Sequence, residues 1–271
     1  MDERLYAVTA VVLRAREYGE GHRLISLLTR EEGKILAVAK GIQKPRAKLA
    51  ASLQHFSLGE MHLAKGRRFD IITQVRVLEA FYALRGNLAA IAYASYFAEL
   101  FDESLAERQQ QPALFDLFIN ALQRLCAGET PDLLARYVEL QLVSHAGYLP
   151  CLTHCSHCAT ALSAPGAEGG AVWPTWLGFS AGQGGALCPR CLPIVPGARR
   201  IAAGTVQVAL LLLTRGVDVL GTLHLSARLR REIELVFREY LEYRLEHRLQ
   251  SVRFLHDWGD ATGEDSNHDS N

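Results

Sequence analysis

The stretch TAVVLRAREYGEGHRLISLLTREEGKILAVAKG (residues 9–41) decides the fold of the amino-terminal part of this chain. Three apolar, β-branched runs follow one another in it, separated by glycines and charged residues. Short runs of this kind about ten residues apart, with turn residues between them, are typical of small barrels and sandwiches. Two similar runs follow, so we predict strands at 5–13, 23–29, 34–40, 53–64 and 69–77. Five strands within residues 1–80 favour a five-stranded OB-fold barrel.

Beyond residue 80 the apolar residues adopt a helical spacing. Helical runs begin at Asn87, near Pro112 and after Thr130, and Pro112 and Thr130 are residue types that favour helix starts. Two more runs cover 202–214 and 225–249. We therefore predict an α+β protein of several domains, in which 81–150 and 200–250 form a helical bundle domain. Residues 251–271 are acidic and rich in Gly, Ser and Asn, which predicts a disordered tail.

Two Cys-x-x-Cys pairs stand 29 residues apart in a segment with little apolar periodicity. Cys155, Cys158, Cys188 and Cys191 offer the four sulfur ligands that Zn²⁺ prefers in structural sites. A complete four-sulfur shell leaves no position for a reacting water, so we predict a structural zinc module at 151–199. A redox dithiol is the alternative, and Cys151, His154 and His157 lie close enough to replace a ligand.

The chain has 29 basic and 29 acidic residues, yet their distribution is uneven. Residues 1–80 carry 14 basic and nine acidic side chains, including all five lysines. A basic barrel face with aromatic residues is the combination that holds a single nucleic-acid strand, and Tyr18, His22 and Phe56 are candidates for base stacking. We predict the DNA-binding residues Arg14, Arg16, Arg23, Arg30, Lys34, Lys40, Lys44, Arg46, Lys48, Lys65, Arg67 and Arg68.

These residues are assigned to particular parts of the barrel. We expect Arg14 and Arg16 in the loop between the first two strands, and Lys65, Arg67 and Arg68 in the loop between the last two. A solvated surface on a small β domain would produce the same excess of positive charge without any ligand. Replacing Lys34, Lys40 and Lys44 by Glu is expected to weaken DNA binding and flatten its salt dependence.

Several classes of protein are disfavoured by the sequence. No apolar run reaches the length of a membrane helix, and the amino terminus does not resemble a signal peptide, so we expect a cytoplasmic protein without membrane contact. The sequence contains no phosphate-binding loop, no His-Glu-x-x-His motif and no Gly-x-Ser-x-Gly elbow. We therefore expect a protein that is not an enzyme.

Residues 9–60, the segment GYLPCLTHCSHC (147–158) and the segment GFSAGQGGALCPRC (178–191) strongly resemble the bacterial RecO family of recombination mediators. The resemblance covers most of residues 5–250 and implies an OB-fold, a helical domain and a cysteine-liganded zinc module. It also implies binding of single- and double-stranded DNA, annealing of complementary strands, action with RecR, binding of the C-terminal tail of single-strand DNA-binding protein (SSB), and RecA loading on SSB-coated DNA. The long 159–187 segment and the extra Cys151 depart from the shortest family pattern.

Two other readings remain open from the sequence. In the first, a zinc-stabilised scaffold docks acidic protein tails on its basic patch and has no direct role in DNA binding. In the second, the chain is a metal-dependent hydrolase or oxidoreductase. Arg85, Arg124 and Arg136 are candidates for a pocket that receives the SSB tail, but packing or a solvated surface explains them equally well.

Overall fold

The computed structural model describes residues 5–42, 48–165 and 170–245. Its contacts divide the chain into two compact units. The first contains the described residues up to Gly128, and the second begins at Glu129.

The first unit is built on a closed five-stranded barrel, as predicted. Its strands are β1 (Leu5–Tyr18), β2 (His22–Thr29), β3 (Gly33–Ala39), β4 (Leu58–Ala64) and β5 (Asp70–Glu79), and a short helix α1 (Lys48–Ser52) precedes β4. The strand order is β1-β2-β3-β5-β4; β3 and β5 are parallel, and the other pairs are antiparallel. The prediction of a strand over 53–64 was wrong in its first half, because the chain there leaves α1 and turns before β4 begins.

Alternate residues of the strands fill the barrel. Ile25 and Leu27 of β2 pack with Val12, Ile35 and Met61, and all five are almost completely buried. Side chains of a strand point alternately to its two faces, which is why every second residue enters this core. A bulge between Val12 and Arg14 shifts the register of β1 against β2, so that Ala15 joins the core and Arg14 and Arg16 point outward.

Helices cover part of the outside of the barrel. A 3-10 helix (Tyr82–Gly86) leads into α2 (Leu88–Ser104), and α3 (Pro112–Cys126) follows. The helix α2 contacts β1, and α3 contacts β2, so the outer side chains Leu24 and Leu28 are buried as well as the inner ones. Gly33 allows the segment after α2 to approach β3, since a Cβ at this position would lie 1.9 Å from the Gln109 carbonyl oxygen.

The second unit combines three helices with small sheets. Its elements are α4 (Pro131–His145), β6 (Ala164–Pro165), β7 (Ala171–Val172), β8 (Trp176–Ser180), β9 (Gly185–Leu187), β10 (Arg199–Ala202), α5 (Ala203–Arg215), a 3-10 helix (Gly216–Thr222) and α6 (Ala227–Leu245). The helix α4 packs against α5 and α6. Phe179 of β8 packs edge-on against Phe237 and Tyr240 of α6, with ring centroids 6.1 and 5.8 Å apart. The three-stranded sheet β10-β8-β9 is thereby attached to the helices.

This division groups the helices differently from the predicted domains. The sequence placed 81–150 with 200–250, whereas α2 and α3 group with the barrel strands in the first unit and α4 groups with α5 and α6 in the second. A change from strand to helix periodicity marks a change of secondary structure, and it does not locate the boundary of a compact unit. Independent folding of the predicted domains stays a prediction, and the predicted acidic tail 251–271 lies outside the described residues.

One helical stretch, Ala203–Thr222, is apolar and long enough by length and composition to cross a membrane. Part of this apolar surface is used inside the second unit, where Val206, Ala209 and Leu212 of α5 are buried. The stretch also changes from α to 3-10 geometry at Gly216. Its composition is therefore weak support for a membrane span.

Candidate nucleic-acid interface and metal centre

The predicted DNA-binding residues fall into two groups according to their partners. Three of them, which we call the tethered residues, form ion pairs with acidic side chains of the helices: Arg14 with Glu103 at 3.5 Å, Arg30 with Asp116 at 3.0 Å, and Lys34 with Asp102 at 4.0 Å. Each pair joins the barrel to α2 or α3. The tethered residues therefore contribute to attaching the helices to the barrel.

Lys34 departs most clearly from its expected role. Its side chain is 13% exposed, and its ammonium group also donates to the Asp102 backbone oxygen. The Lys34 backbone oxygen accepts a hydrogen bond from the Arg108 N–H at 2.8 Å. The chain after α2 thus closes over this part of β3, which removes Lys34 from the surface that the sequence predicted for DNA.

Six other predicted residues, which we call the open residues, are exposed and form no ion pair within the described part of the chain: Arg16, Arg23, Lys40, Lys65, Arg67 and Arg68. Lys65, Arg67 and Arg68 lie in the loop between β4 and β5, as predicted. The placement of Arg14 and Arg16 in a loop was wrong, because β1 continues as a strand to Tyr18. Lys44 and Arg46 lie outside the described residues, and Lys48 is described only by its backbone at the start of α1.

An aromatic pair connects the end of β1 to the β4–β5 loop, which carries three of the open residues. Tyr18, at the end of β1, meets Phe69 edge-on with ring centroids 5.6 Å apart. The Arg68 guanidinium lies 5.1 Å from the centroid of the Phe69 ring. Tyr18 is 38% exposed, so part of its ring surface is open to a ligand. Aromatic rings next to arginines are the groups on which bases of a single strand stack.

The other stacking candidates do not share this exposure. Phe56 is buried, and His22 accepts a hydrogen bond from the Gly41 N–H through its Nδ1 atom at 2.9 Å. Phe69 was not identified from the sequence as a candidate. Its partner Tyr18 lies far away along the chain, so no local pattern marks it.

A cavity of about 520 Å³ opens beside Arg16 and Arg23. Arg85 and His55 also line it, and its apolar lining includes Phe56 and Phe81. Both phenylalanines have positive φ angles, 68° and 47°, which bulky residues rarely adopt and which are often retained at functional sites. Burial lowers the pKa of His55, and the positive charges of Arg14 and Arg23 lower it further. The lining carries three arginines against one carboxylate, Glu17, so the rim of the cavity is cationic in sum and its floor is apolar.

A buried carboxylate stabilises the barrel close to the β4–β5 loop. Asp70, at the start of β5, accepts hydrogen bonds from the Tyr6 hydroxyl, the Arg108 guanidinium and the Gly66 N–H. Burial alone would raise the pKa of Asp70, but these hydrogen bonds outweigh it and lower the pKa. Burial and the neighbouring Asp70 carboxylate raise the pKa of Tyr6. The network fixes the first residue of β5 directly after the basic loop.

The candidate metal centre is formed by the four predicted cysteines. The sulfur atoms of Cys155, Cys158, Cys188 and Cys191 all lie within 4.8 Å of one another, and those of Cys158 and Cys188 are 3.8 Å apart. Zinc–sulfur bonds of about 2.3 Å in a tetrahedron place the sulfur atoms about 3.8 Å apart. The donor set and its spacing therefore fit a tetrahedral zinc ion.

Local backbone turns hold the two pairs of cysteines. The Ala159 N–H donates to the Cys155 oxygen at 2.9 Å, and the Cys191 N–H donates to the Cys188 oxygen at 3.0 Å. A hydrogen bond from Ser156 N–H to the Ala186 oxygen at 2.8 Å joins the first turn to β9. Among the described residues, neither Cys151 nor the two nearby histidines belong to this cluster. The Cys151 thiol instead donates to the His154 backbone oxygen at 3.2 Å.

The ionisation of the four thiols is uneven. Hydrogen bonding with the side chain and backbone of Thr160 lowers the pKa of Cys158 to about 6. Burial and the three neighbouring thiols raise the pKa of Cys191 to about 12. Four thiolates this close repel one another, and a divalent cation at their centre removes that repulsion. The chemistry of the donor set thus agrees with its geometry.

The chain was compared with known proteins. Residues 1–81 match the family model of the recombination protein O N terminus, and residues 85–253 match that of the recombination protein O C terminus. The chain is 37% identical to the DNA repair protein RecO of Pelotomaculum thermopropionicum over 258 residues, which cover 95% of this chain and 96% of the relative. It is 36% identical to the DNA repair protein RecO of Symbiobacterium thermophilum over 252 residues, covering 93% and 96% of the two chains.

Proposed function

Because this chain belongs to the recombination protein O (RecO) family of DNA repair proteins, we propose that it binds single- and double-stranded DNA and anneals complementary strands. With RecR it promotes RecA loading on SSB-coated DNA. It performs this role in the cytoplasm, on the nucleoid, without chemical catalysis. This reading agrees with the family resemblance of the sequence.

The observation that carries the DNA-binding proposal is the contact between Tyr18 and Phe69 with Arg68 stacked beside it. It joins the end of β1 to the loop that contains Lys65 and Arg67. A strand crossing here meets aromatic rings for its bases and cations for its phosphates at one place on the barrel. The remaining open residues, Arg16, Arg23 and Lys40, extend the positive charge onto the neighbouring strands.

Annealing requires little from the protein beyond this surface. Two complementary strands repel each other through their phosphates, and cationic side chains screen that repulsion. Base pairing then supplies the free energy of annealing. Most contacts of this kind are made to the backbone, so we expect binding that depends strongly on salt and weakly on sequence.

The cavity lined by Arg16, Arg23 and Arg85 suits the C-terminal tail of SSB, because an acidic peptide would meet the cationic rim and its apolar residues the floor. Arg136, which was also predicted for the tail pocket, fits this role poorly because it is buried. Its guanidinium pairs with Glu139 at 2.7 Å, and the side chain is 6% exposed. Arg124 hydrogen-bonds to Asn120 on the same helix.

The four cysteines are proposed to hold a structural zinc ion. The ion would supply four strong bonds that clamp the turns at 155–160 and 188–191, and all four cysteine sulfurs would be used in holding it. No position would remain for a substrate or a reacting water. This supports a scaffolding role for the module within the second unit.

The proposal is tested with the double variant R67E/R68E. Filter binding of a homopolymeric single strand is expected to weaken by at least about tenfold at low salt, since two phosphate contacts are replaced by repulsion. R215E, which reverses one exposed arginine at the end of α5 in the second unit, is the control and is expected to bind as the wild type does. Unchanged binding by R67E/R68E would contradict the proposal. If the wild-type protein retains no homopolymer but binds an acidic tail peptide, the scaffold reading is correct instead.

A further inference from the structure

A second candidate site lies in the second unit, in a groove between β8, β10, α5 and α6. The groove has a volume of about 640 Å³, within the range of sites that hold small ligands. We call it the Trp176 groove; its defining residues are Trp176, Arg200, Gly204, Arg228 and Glu232. None of them belongs to the candidate metal centre or to the basic surface of the barrel.

The wall of the Trp176 groove carries a stacked pair. The Arg200 guanidinium carbon lies 4.4 Å from the centroid of the Trp176 ring, and the two residues come from the paired strands β10 and β8. Arg200 is exposed and Trp176 is half-buried. A planar cation over an indole ring makes a flat, positively charged surface, on which nucleobases stack well.

The floor of the groove carries a carboxylate that can accept a further hydrogen bond. Glu232 of α6 accepts hydrogen bonds from the Ala202 N–H at 2.7 Å and from the Thr205 hydroxyl. Both bonds end on its Oε1 atom, which fixes the carboxylate and leaves Oε2 as an acceptor. An anion at this place disfavours an acidic peptide, and it favours a ligand with amino groups.

The opposite edge of the groove supplies a cation for a phosphate. Arg228 lies in the first turn of α6 and is exposed, with no ion pair found in the described part of the chain. Gly204 also lines the groove and has no side chain to fill it. A stacking surface, a hydrogen-bond acceptor and a free cation are therefore arranged around one space.

We propose that the Trp176 groove binds one nucleotide of single-stranded DNA. The base stacks on the Trp176–Arg200 pair, its amino edge donates to Glu232, and its phosphate binds Arg228. Only an unpaired base has that edge free, so the site is specific for single strands, and cytosine or adenine is preferred over thymine. This inference rests on the proposed function, for which it provides a second strand contact in addition to the barrel.

The test is to follow tryptophan fluorescence of the full chain during titration with short oligonucleotides of dC, dA or dT. We expect saturable quenching, with dC and dA binding at least about fivefold more tightly than dT. The W176F variant is expected to lose the quenching while retaining filter binding through the barrel, which assigns the signal among the three tryptophans. R228Q is expected to weaken all three oligonucleotides about equally.

The E232Q variant tests the base preference. The amide keeps an oxygen acceptor for Ala202 and Thr205, while the lost charge is expected to bring the dC and dT affinities to within about twofold of each other. Absence of quenching by every oligonucleotide at low salt would overturn the inference. So would equal quenching by dC and dT in the wild type, or quenching by an acidic peptide in place of DNA.

The R67E/R68E variant separates this inference from the proposed function. If R67E/R68E loses filter binding and Trp176 fluorescence is not quenched in the wild type, the groove proposal is rejected and the barrel surface is supported. If Trp176 fluorescence is quenched and R67E/R68E binds single strands as the wild type does, the barrel surface is rejected as the binding site and the groove proposal is supported. Our expectation is that R67E/R68E loses most filter binding and keeps the quenching of Trp176.

Discussion

The barrel and the cysteine-rich segment are held together in opposite ways. The barrel has a continuous apolar core, to which every strand contributes alternate buried residues such as Ile25 and Leu27. The cysteine-rich segment has short strands, and its sheet obtains burial mainly where Phe179 packs on α6. Its two turns converge on four sulfur atoms. The barrel therefore folds on hydrophobic burial, whereas we propose that the segment needs a metal ion to complete its structure.

Removal of the proposed zinc ion is expected to have the largest effect, because only the cysteine-rich segment depends on it. Structural zinc sites of four thiolates contribute on the order of 10 kcal/mol to folding. We expect a chelator, or the C188S variant, to expose residues 151–199 to limited proteolysis while leaving the barrel fragment resistant. Metal analysis is expected to find about one zinc per chain before treatment.

C126S is the matched control for C188S. Cys126 is a half-buried thiol at the end of α3 that does not belong to the cysteine cluster, and burial raises its pKa. We expect C126S to keep both its zinc and its protease resistance. Stoichiometric zinc in C188S, or cleavage that begins in the barrel after chelation, would contradict the structural role of the site.

For the barrel, the Asp70 network predicts a stability that depends on pH. The folded-state pKa of Asp70 is lowered, so its carboxylate stabilises the fold above the ordinary aspartate range. That stabilisation is lost as the pH falls through the lowered pKa. We expect D70N to cost about 1 to 3 kcal/mol at neutral pH and to flatten the acid limb of the stability curve, measured by urea unfolding between pH 7 and pH 2.

E20Q serves as the control for D70N, because Glu20 is an exposed carboxylate in the β1–β2 turn. It is expected to leave the neutral-pH stability within about 0.5 kcal/mol of the wild type. An acid limb of unchanged slope in D70N would show that other carboxylates carry the pH dependence of the barrel.

The sequence predicted those features that depend on local patterns. Strand alternation and turn glycines predicted the barrel, and two Cys-x-x-Cys turns predicted the sulfur cluster. It did not predict the fate of Lys34, because its partner Asp102 lies on a helix that approaches only in the folded chain. The contact of Tyr18 with Phe69 was missed for the same reason. The exposure of a charged residue is set by what packs over it, which a single sequence does not record.

The difference between open and tethered residues is the central claim about the barrel. Both groups are positively charged and were predicted together, and Arg14 and Arg30 of the tethered group are exposed as well. We propose that the open residues make most of the phosphate contacts, because they need not give up an ion pair to do so. The triple variant R16Q/R67Q/R68Q removes open charges, and R14Q/R30Q/K34Q removes the same number of charges from the tethered residues. Circular dichroism of both variants verifies that the barrel has folded.

The most direct measurement is the slope of log affinity against log salt concentration for a single-stranded homopolymer. Each lost phosphate contact reduces the slope by about 0.7 for single strands. We predict a reduction of about 2 for R16Q/R67Q/R68Q and a slope within about 0.5 of the wild type for R14Q/R30Q/K34Q. An equal reduction in the two variants would contradict the account, because it would show that net charge alone, and not the open surface, binds the strand.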